Sequence, residues 1–335
     1  MVLNCLFAKL PRRALGVFVA LSACVAMSSA VAQEWPTGTV RVVVPFPPGG
    51  ATDVVARLVA QQLALKLGKP FPVENIDGAG GSIGTAAALK APADGNTLLI
   101  GTVGGIVTGP ILRKNAGSQR EPADDAVPVT RFYASGSVVM VNPAVPVRNI
   151  PELIDYVKRD PEKLFYGSAG IGSNSNLIAE YFKWVAKIRI DHVPFRGTGP
   201  AFNELLANRV QLVIESQPTA LSNILAGKVR ALGVTTKGRV AALPQVASVA
   251  ETPGMESFEA ISWVGLFVAP GTPRPIITKL YRTIVDISAV PEVQERMKAL
   301  GAPFETITPE EFASFVQAER VKWAEVIRVG GITGG

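Results

Sequence analysis

Four turns in this chain have the make-up of an anion site. They are residues 46–52 (Phe-Pro-Pro-Gly-Gly-Ala-Thr), 77–84 (Asp-Gly-Ala-Gly-Gly-Ser-Ile-Gly), 167–175 (Gly-Ser-Ala-Gly-Ile-Gly-Ser-Asn-Ser) and 195–200 (Phe-Arg-Gly-Thr-Gly-Pro). Each follows a short apolar run and leads into a helical pattern. A helix N-terminus presents unpaired N–H groups and about half a positive charge. Glycine lets the backbone come close to a ligand, and Ser or Thr hydroxyls add donors. Such turns predict an anion site built from main-chain amides. In an open α/β sheet they belong at the carboxyl ends of the strands, where ligand crevices form. The second turn also imitates a dinucleotide fingerprint, Gly78-x-Gly80-x-x-x-Gly84, but in the second βα unit instead of the first.

Groups for covalent chemistry are scarce. The chain has one histidine, His192, so a two-histidine metal site is excluded, and no G-x-S-x-G elbow occurs. His192 lies in a strand pattern and reads as structural. Asp53 reads as a helix cap. Glu215 ends a strand, with two readings open: a ligand contact or a bridge between lobes. Arg196, at a helix start, is either a partner for a ligand carboxylate or a solvated surface charge. An exported enzyme working on a small acid would have to draw on Asp53, Glu74, Glu215 and His192.

The elements that position these turns alternate as parallel βαβ units do. Val40–Pro45, Pro72–Ile76 and Thr97–Thr102 read as strands, with helices between them. The pattern resumes after Val141. A helix at 150–159 is followed by strands at 164–167, 188–195, 210–215 and 229–235, again with helices between. Residues from Pro275 onward are mainly helical, including 291–300 and 309–329. Residues 113–128 read as the most loop-like stretch. The expected fold class is therefore α/β in two lobes, each a sheet flanked by helices, with chain crossings near 135–142 and 250–262. The expected boundaries are 33–138 plus 255–335 for lobe 1 and 139–254 for lobe 2.

Lys9, Arg12 and Arg13, an apolar run from Ala14 and the ending Ala30-Val31-Ala32 make 1–32 a secretory signal cut after Ala32. Leu21-Ser22-Ala23-Cys24 offers an alternative, lipidation at Cys24. Both cysteines, Cys5 and Cys24, fall in this leader, so the exported body has no thiol for a disulfide, a zinc site or a nucleophile. Hydrophobic residues make up 48 % and charged residues 18 %, which excludes a disordered chain. The net charge is +6, but Lys and Arg are scattered, unlike the basic clusters of nucleic-acid binders.

Taken together, the motifs resemble the Bug/TctC family, the extracytoplasmic receptors of tripartite tricarboxylate transporters. The resemblance runs from about Pro36 to about Gly331. It is carried by Val43-Val44-Pro45-Phe46…Gly49-Gly50-Ala51-Thr52-Asp53 and by Val73-Glu74-Asn75…Gly78-Ala79-Gly80-Gly81-Ser82-Ile83-Gly84. Further marks are Asp94-Gly95…Thr97-Leu98-Leu99, Ser168-Ala169-Gly170…Gly172-Ser173, His192-Val193-Pro194-Phe195-Arg196-Gly197, Ala226-Gly227-Lys228-Val229-Arg230-Ala231-Leu232 and Ser262-Trp263…Gly265-Leu266-Phe267. The resemblance implies a periplasmic binding protein of the Venus-flytrap type that closes on a small carboxylate. Its carboxyl group would be held by lobe 1 at Phe46, Gly49, Gly50, Ala51, Gly80, Ser82 and Thr102, through backbone groups and bridging waters. Ser168, Gly172, Ser173, Phe195, Gly197 and Thr198 of lobe 2 would select the rest. Asp53, Asn176 and Glu215 complete the expected set. Asn176 stands where the family often has histidine, Phe195 replaces a common tyrosine, and Glu215 an aspartate. The family's usual Tyr-Asp-Pro segment is missing from 113–128. The implied partners are the small carboxylate and the membrane permease subunits, with a sensor pathway as the alternative. No cofactor, metal or nucleic acid is expected, and the protein is expected to be a monomer.

Overall fold

A β-branched run that is apolar on both faces must be covered on both faces, and β1 (Arg41–Val44) is such a strand, with Val42, Val43 and Val44 buried. The structure is a computed structural model that describes residues 34–118, 120–160 and 164–333. The leader, its cleavage site and Cys24 lie outside the described residues. The unit described below begins at Gly38.

Chain order after β1 is α1 (Ala51–Leu67), β2 (Val73–Asn75), α2 (Ser82–Leu89), β3 (Thr97–Thr102), a π-helical turn at Gly104–Thr108 and α3 (Gly109–Asn115). Helix α1 ends at Gly68, which adopts φ 67° and donates its N–H to Ala64 O, a left-handed cap that glycine adopts at least cost. Strands β2, β1 and β3 lie side by side and parallel. The next strand, β4 (Val127–Val141), is unusually long. Then follow α4 (Ile150–Arg159), β5 (Phe165–Ser168), α5 (Asn174–Ala186), β6 (Asp191–Pro194), α6 (Thr198–Leu206), β7 (Leu212–Ser216), α7 (Gln217–Leu225) and β8 (Arg230–Val234). The chain closes with β9 (Ile261–Val268), α8 (Arg274–Ser288), α9 (Pro291–Ala299) and α10 (Pro309–Val329).

Strand β4 joins the two lobes. Val127–Gly136 pairs antiparallel with β9, which in turn pairs with β3, completing the sheet of lobe 1. Ser137–Val141 pairs instead with β7 and β8, and β7, β5 and β6 are parallel neighbours in lobe 2. The chain therefore changes sheets between Gly136 and Ser137 and returns at Ala260–Ile261. Thr235 ties the two crossings: its Oγ1 accepts from Ser137 N at 2.7 Å and donates to Ala260 O at 2.6 Å. The return comes a few residues later than the expected 254/255. The reason is that Phe258 stacks on Tyr181 and packs edge-on against Phe182, both on α5 of lobe 2.

Residues 113–128 are more ordered than a loop. They hold the end of α3, a 3₁₀ turn (Pro122–Asp125) with a capping box between Glu121 and Asp124, and the start of β4. Arg113–Glu121 and Lys114–Asp124 ion pairs, both 2.8 Å, pin the stretch to α3. In lobe 1 the core centres on Trp263, Phe267, Phe312 and Trp323. Gly265 lets the Phe312 ring lie on the sheet, since a Cβ there would stand 2.5 Å from Cζ. Glu319, buried among them, accepts from Nε1 of both Trp263 and Trp323 at 3.2 Å.

Candidate functional site

The cleft between the lobes is built on helix starts. Its wall in lobe 1 comes from Phe46, Pro47, Pro48 and the first turn of α1 (Gly50, Ala51, Thr52). Lobe 2 contributes the starts of α5 (Ser173, Asn174, Ser175), α6 (Thr198, Gly199) and α7 (Ser216, Thr219). Four helix N-termini thus face one space, each with first-turn N–H groups that have no partner in their own helix. The floor is made by Thr102 at the end of β3, Tyr133 on β4 and Ser262, Trp263 and Val264 on β9. The cavity measures about 50 Å³, room for roughly two waters.

Among the described residues no lysine, arginine or histidine lines this cleft; its ionisable side chains are Glu215 and Tyr133. Glu215, at the end of β7, is 7 % exposed. Its Oε1 accepts from Ser216 N at 2.8 Å and its Oε2 from Thr198 Oγ1 at 2.9 Å. Burial pushes its carboxyl above the usual range, and the bonds from Ser216, Thr198 and Ser175 only partly offset this. Burial, with the nearby Glu215 charge, likewise pushes the Tyr133 phenol up, so it stays protonated.

Of the expected ligand residues, Phe46, Gly50, Ala51, Thr102, Ser173, Thr198 and Glu215 meet in the cleft. The others do not line it. Asp53 is the third residue of α1, whose N-cap is Gly50, and it reaches back to accept from Gly49 N at 3.0 Å. Asp53 also accepts from Asn75 Nδ2 and pairs with Arg57, both at 2.9 Å, while Asn75 donates to Phe46 O. Together these bonds brace the first turn. Burial raises the Asp53 carboxyl, yet the bonds from Arg57, Gly49 and Asn75 outweigh it and hold it below the ordinary value.

The turn at 77–84 does not line the cleft. Ser82 Oγ accepts from Arg113, and Gly80 lies against the Ile171–Ser173 backbone of lobe 2. The fourth helix start in the cleft is instead that of α7, whose turn, Glu215-Ser216-Gln217-Pro218, has no glycine to announce it.

Ser168, Gly172 and Asn176 turn their bonds inward. Ser168 is fully buried, with Oγ 2.6 Å from His192 Nε2. His192 stacks on Tyr166, and burial lowers its pKa to about 4, so the ring is neutral. Asn176 Oδ1 accepts from Gly172 N at 3.0 Å, and its Nδ2 donates to Tyr166 OH at 2.8 Å. Phe195 packs beneath Gly167, and Gly197 meets Pro47 across the cleft mouth. A further contact between lobes runs from Thr108 Oγ1 to Gly172 O at 3.1 Å.

Sequence reasoning missed Tyr133, Asn174, Ser175, Ser216, Thr219 and Ser262 as cleft residues. A signal existed for Ser262, which stands in one of the family marks. Tyr133 lay in a stretch with no assigned element. Among the described residues there is no cluster of three or more His, Cys, Asp or Glu able to hold a metal, and no helix long and apolar enough to cross a membrane.

Two α/β lobes joined by paired strands, with a polar cleft at the carboxyl ends of the parallel strands, define the class of two-lobed solute-binding proteins. The chain belongs to the tripartite tricarboxylate transporter family receptors (TctC), which it matches over residues 55–332. It is 35 % identical over 314 residues to the UPF0065 protein in the tcbD-tcbE intergenic region of Pseudomonas sp. (strain P51), covering 93 % of each chain. Two solved structures are similar over most of their length. R. palustris Rpa4515 with adipate has 33 % identity and a TM-score of 0.84, with 90 % of this chain and 99 % of that one covered. MatC (Rpa3494) from Rhodopseudomonas palustris with bound malate has 31 % identity and a TM-score of 0.83, with 88 % of this chain and all (100 %) of that one covered.

Proposed function

We propose that this receptor captures a small organic carboxylate in the cleft and delivers it to the membrane subunits of a tripartite tricarboxylate-type transporter. It works in the periplasm, as a monomer, without covalent chemistry. One observation carries this reading: four helix N-termini from both lobes converge on a cleft that holds no cationic side chain, so main-chain amides are left to solvate the anion. The adipate and malate of the two similar structures are anions of this kind. Closure is a hinge movement about the paired strands β4 and β9. The Ser168–His192 pair, with Ser168 fully buried and neither residue part of the cleft wall, speaks against a nucleophilic enzyme.

Thermal denaturation with adipate, malate, tricarboxylates, aromatic acids and acidic amino acids tests the reading. At about 100 times the Kd the ligand adds ~2.7 kcal/mol, which in a chain of this size raises Tm by roughly 4 °C. Recovery of the acid unchanged after release separates receptor from enzyme. No shift with any acid refutes the reading.

A further inference from the structure

A cleft for an anion that holds one acidic and no basic side chain poses an electrostatic problem. Glu215 lies in the same space that the carboxylate is proposed to enter, and two like charges within a closing cleft oppose each other. Among the described residues that line the cleft, none supplies the neutralising charge. From β4 it faces Tyr133, a phenol. From α5 comes Ser175, from α6 Thr198, and from the start of α7 Ser216, all hydroxyls. On β5, Tyr166 is engaged with Glu180 and Asn176. The charged groups further along α5 and α6 are paired elsewhere, Glu180 with Lys183 and Glu204 with Arg209.

Resting on the receptor reading above, we infer that the acid is bound together with one proton, which Glu215 carries. The hydrogen bonds say which oxygen takes it. Oε1 accepts from a backbone N–H, which cannot reverse, so this oxygen stays an acceptor. Oε2 accepts from the Thr198 hydroxyl, which can turn and become an acceptor. Protonation forms an O–H bond at Oε2 with a proton drawn from solvent. That O–H then donates to Thr198 Oγ1 or to an oxygen of the bound acid, and the site passes from repelling the ligand to donating to it. The burial that raises this carboxyl's pKa acts in the same direction. The ligands selected are acids with an acceptor at the end that reaches lobe 2, in preference to amino acids with an ammonium there.

Isothermal titration of the full chain with adipate and with malate, at one pH between 7 and 8 but in buffers of different ionisation enthalpy, counts the protons directly. The expected result is an uptake approaching one proton per ligand, with affinity rising up to tenfold for each unit of pH lowered in that range. Glu215→Gln, which imitates the protonated acid, keeps affinity at or above that of the parent and loses both the uptake and the pH slope. Binding by the parent with no proton uptake overturns the inference and leaves the receptor reading standing; this measurement needs no variant. A loss of more than tenfold in Glu215→Gln with an unchanged Tm also overturns it, because the carboxylate would then be accepting from a ligand ammonium or hydroxyl. Absence of binding by every acid at every pH overturns the receptor reading and this inference with it.

Discussion

Replacing Gly80 by alanine should wedge the lobes apart. Gly80 has φ 63° and ψ 23°, and a Cβ built on it stands 2.5 Å from the Ile171 carbonyl oxygen and 3.0 Å from Ser173 N. Those atoms are backbone in the opposite lobe, so they cannot swing aside as a side chain would. Restoring ordinary contact requires the two turns to part by roughly an ångström. Two costs follow, and they separate. Alanine in the left-handed region costs ~1–2 kcal/mol whether the lobes touch or not, so it lowers fold stability and leaves affinity alone. Overpacking costs ~1–3 kcal/mol only when the lobes touch, so it lowers the share of closed protein and weakens binding by about 5–150-fold. Gly68→Ala is the control: φ is 67° there, but nothing lies within 4 Å of the added carbon. Both variants should lose a similar amount in Tm, roughly 1.5–3 °C by the usual scaling for a chain of this size. Only Gly80→Ala should lose affinity for adipate or malate by calorimetry and show a larger radius of gyration in X-ray scattering. Affinity within twofold of the parent would show that this contact is absent from the bound form, and the closure argument would fall.

Three further outcomes follow from buried groups. Glu319→Ala leaves two buried indole N–H groups without an acceptor, at ~1–3 kcal/mol each, whereas Glu319→Gln keeps an acceptor and should lose less; urea unfolding within 0.5 kcal/mol or so of the parent for the alanine variant contradicts this. Asp53 has a native pKa below its unfolded value, so its stabilisation is present above about pH 4 and lost as pH falls through the native pKa. The stability difference between the parent and Asp53→Asn should therefore hold from pH 7 to 5 and fade below about 4, and a pH-independent difference argues against the bonds to Gly49 and Arg57. His192, half-buried and neutral with a pKa of about 4, binds its proton more weakly folded than unfolded. Its contribution is whole above about pH 6.5, falls as pH drops toward 4, and is on the order of 2 kcal/mol after allowance for partial exposure. An NMR titration midpoint near 6.5 would refute that burial.

The parallel strands and their helices were legible because their signals are local: an apolar run of four to six residues, a glycine turn, a helical period. So were Phe46, Gly50, Ala51 and Thr198, which sit in those turns. Strand β4 was not, since Pro128, Arg131 and Gly136 interrupt its apolar pattern and its pairing partner lies more than a hundred residues away. Tyr133 and Trp263 become neighbours in the cleft floor only through that ladder, where Tyr133 pairs with Val264 and Ala134 with Trp263. Within the turns, residue type does not tell which way a side chain's bonds go. Thr198 looks into the cleft while Asp53, Ser168 and Asn176, equally polar, bond back to their own walls.

Tyr133 and Trp263 lie within three residues of the points where β4 and β9 change sheets, so a ligand bound as proposed above would rest almost on the pivot. A force applied there has a short lever arm and exerts little torque. The leverage belongs to the rim, where Pro47 meets Gly197, Gly80 meets Ile171 and Thr108 meets Gly172. On the hinge proposed above, shutting would be driven from the edge, with the acid at the axle acting as a latch more than as a motor. Receptors of this build can then exchange one small acid for another by altering the floor, while the machinery of closing stays as it is.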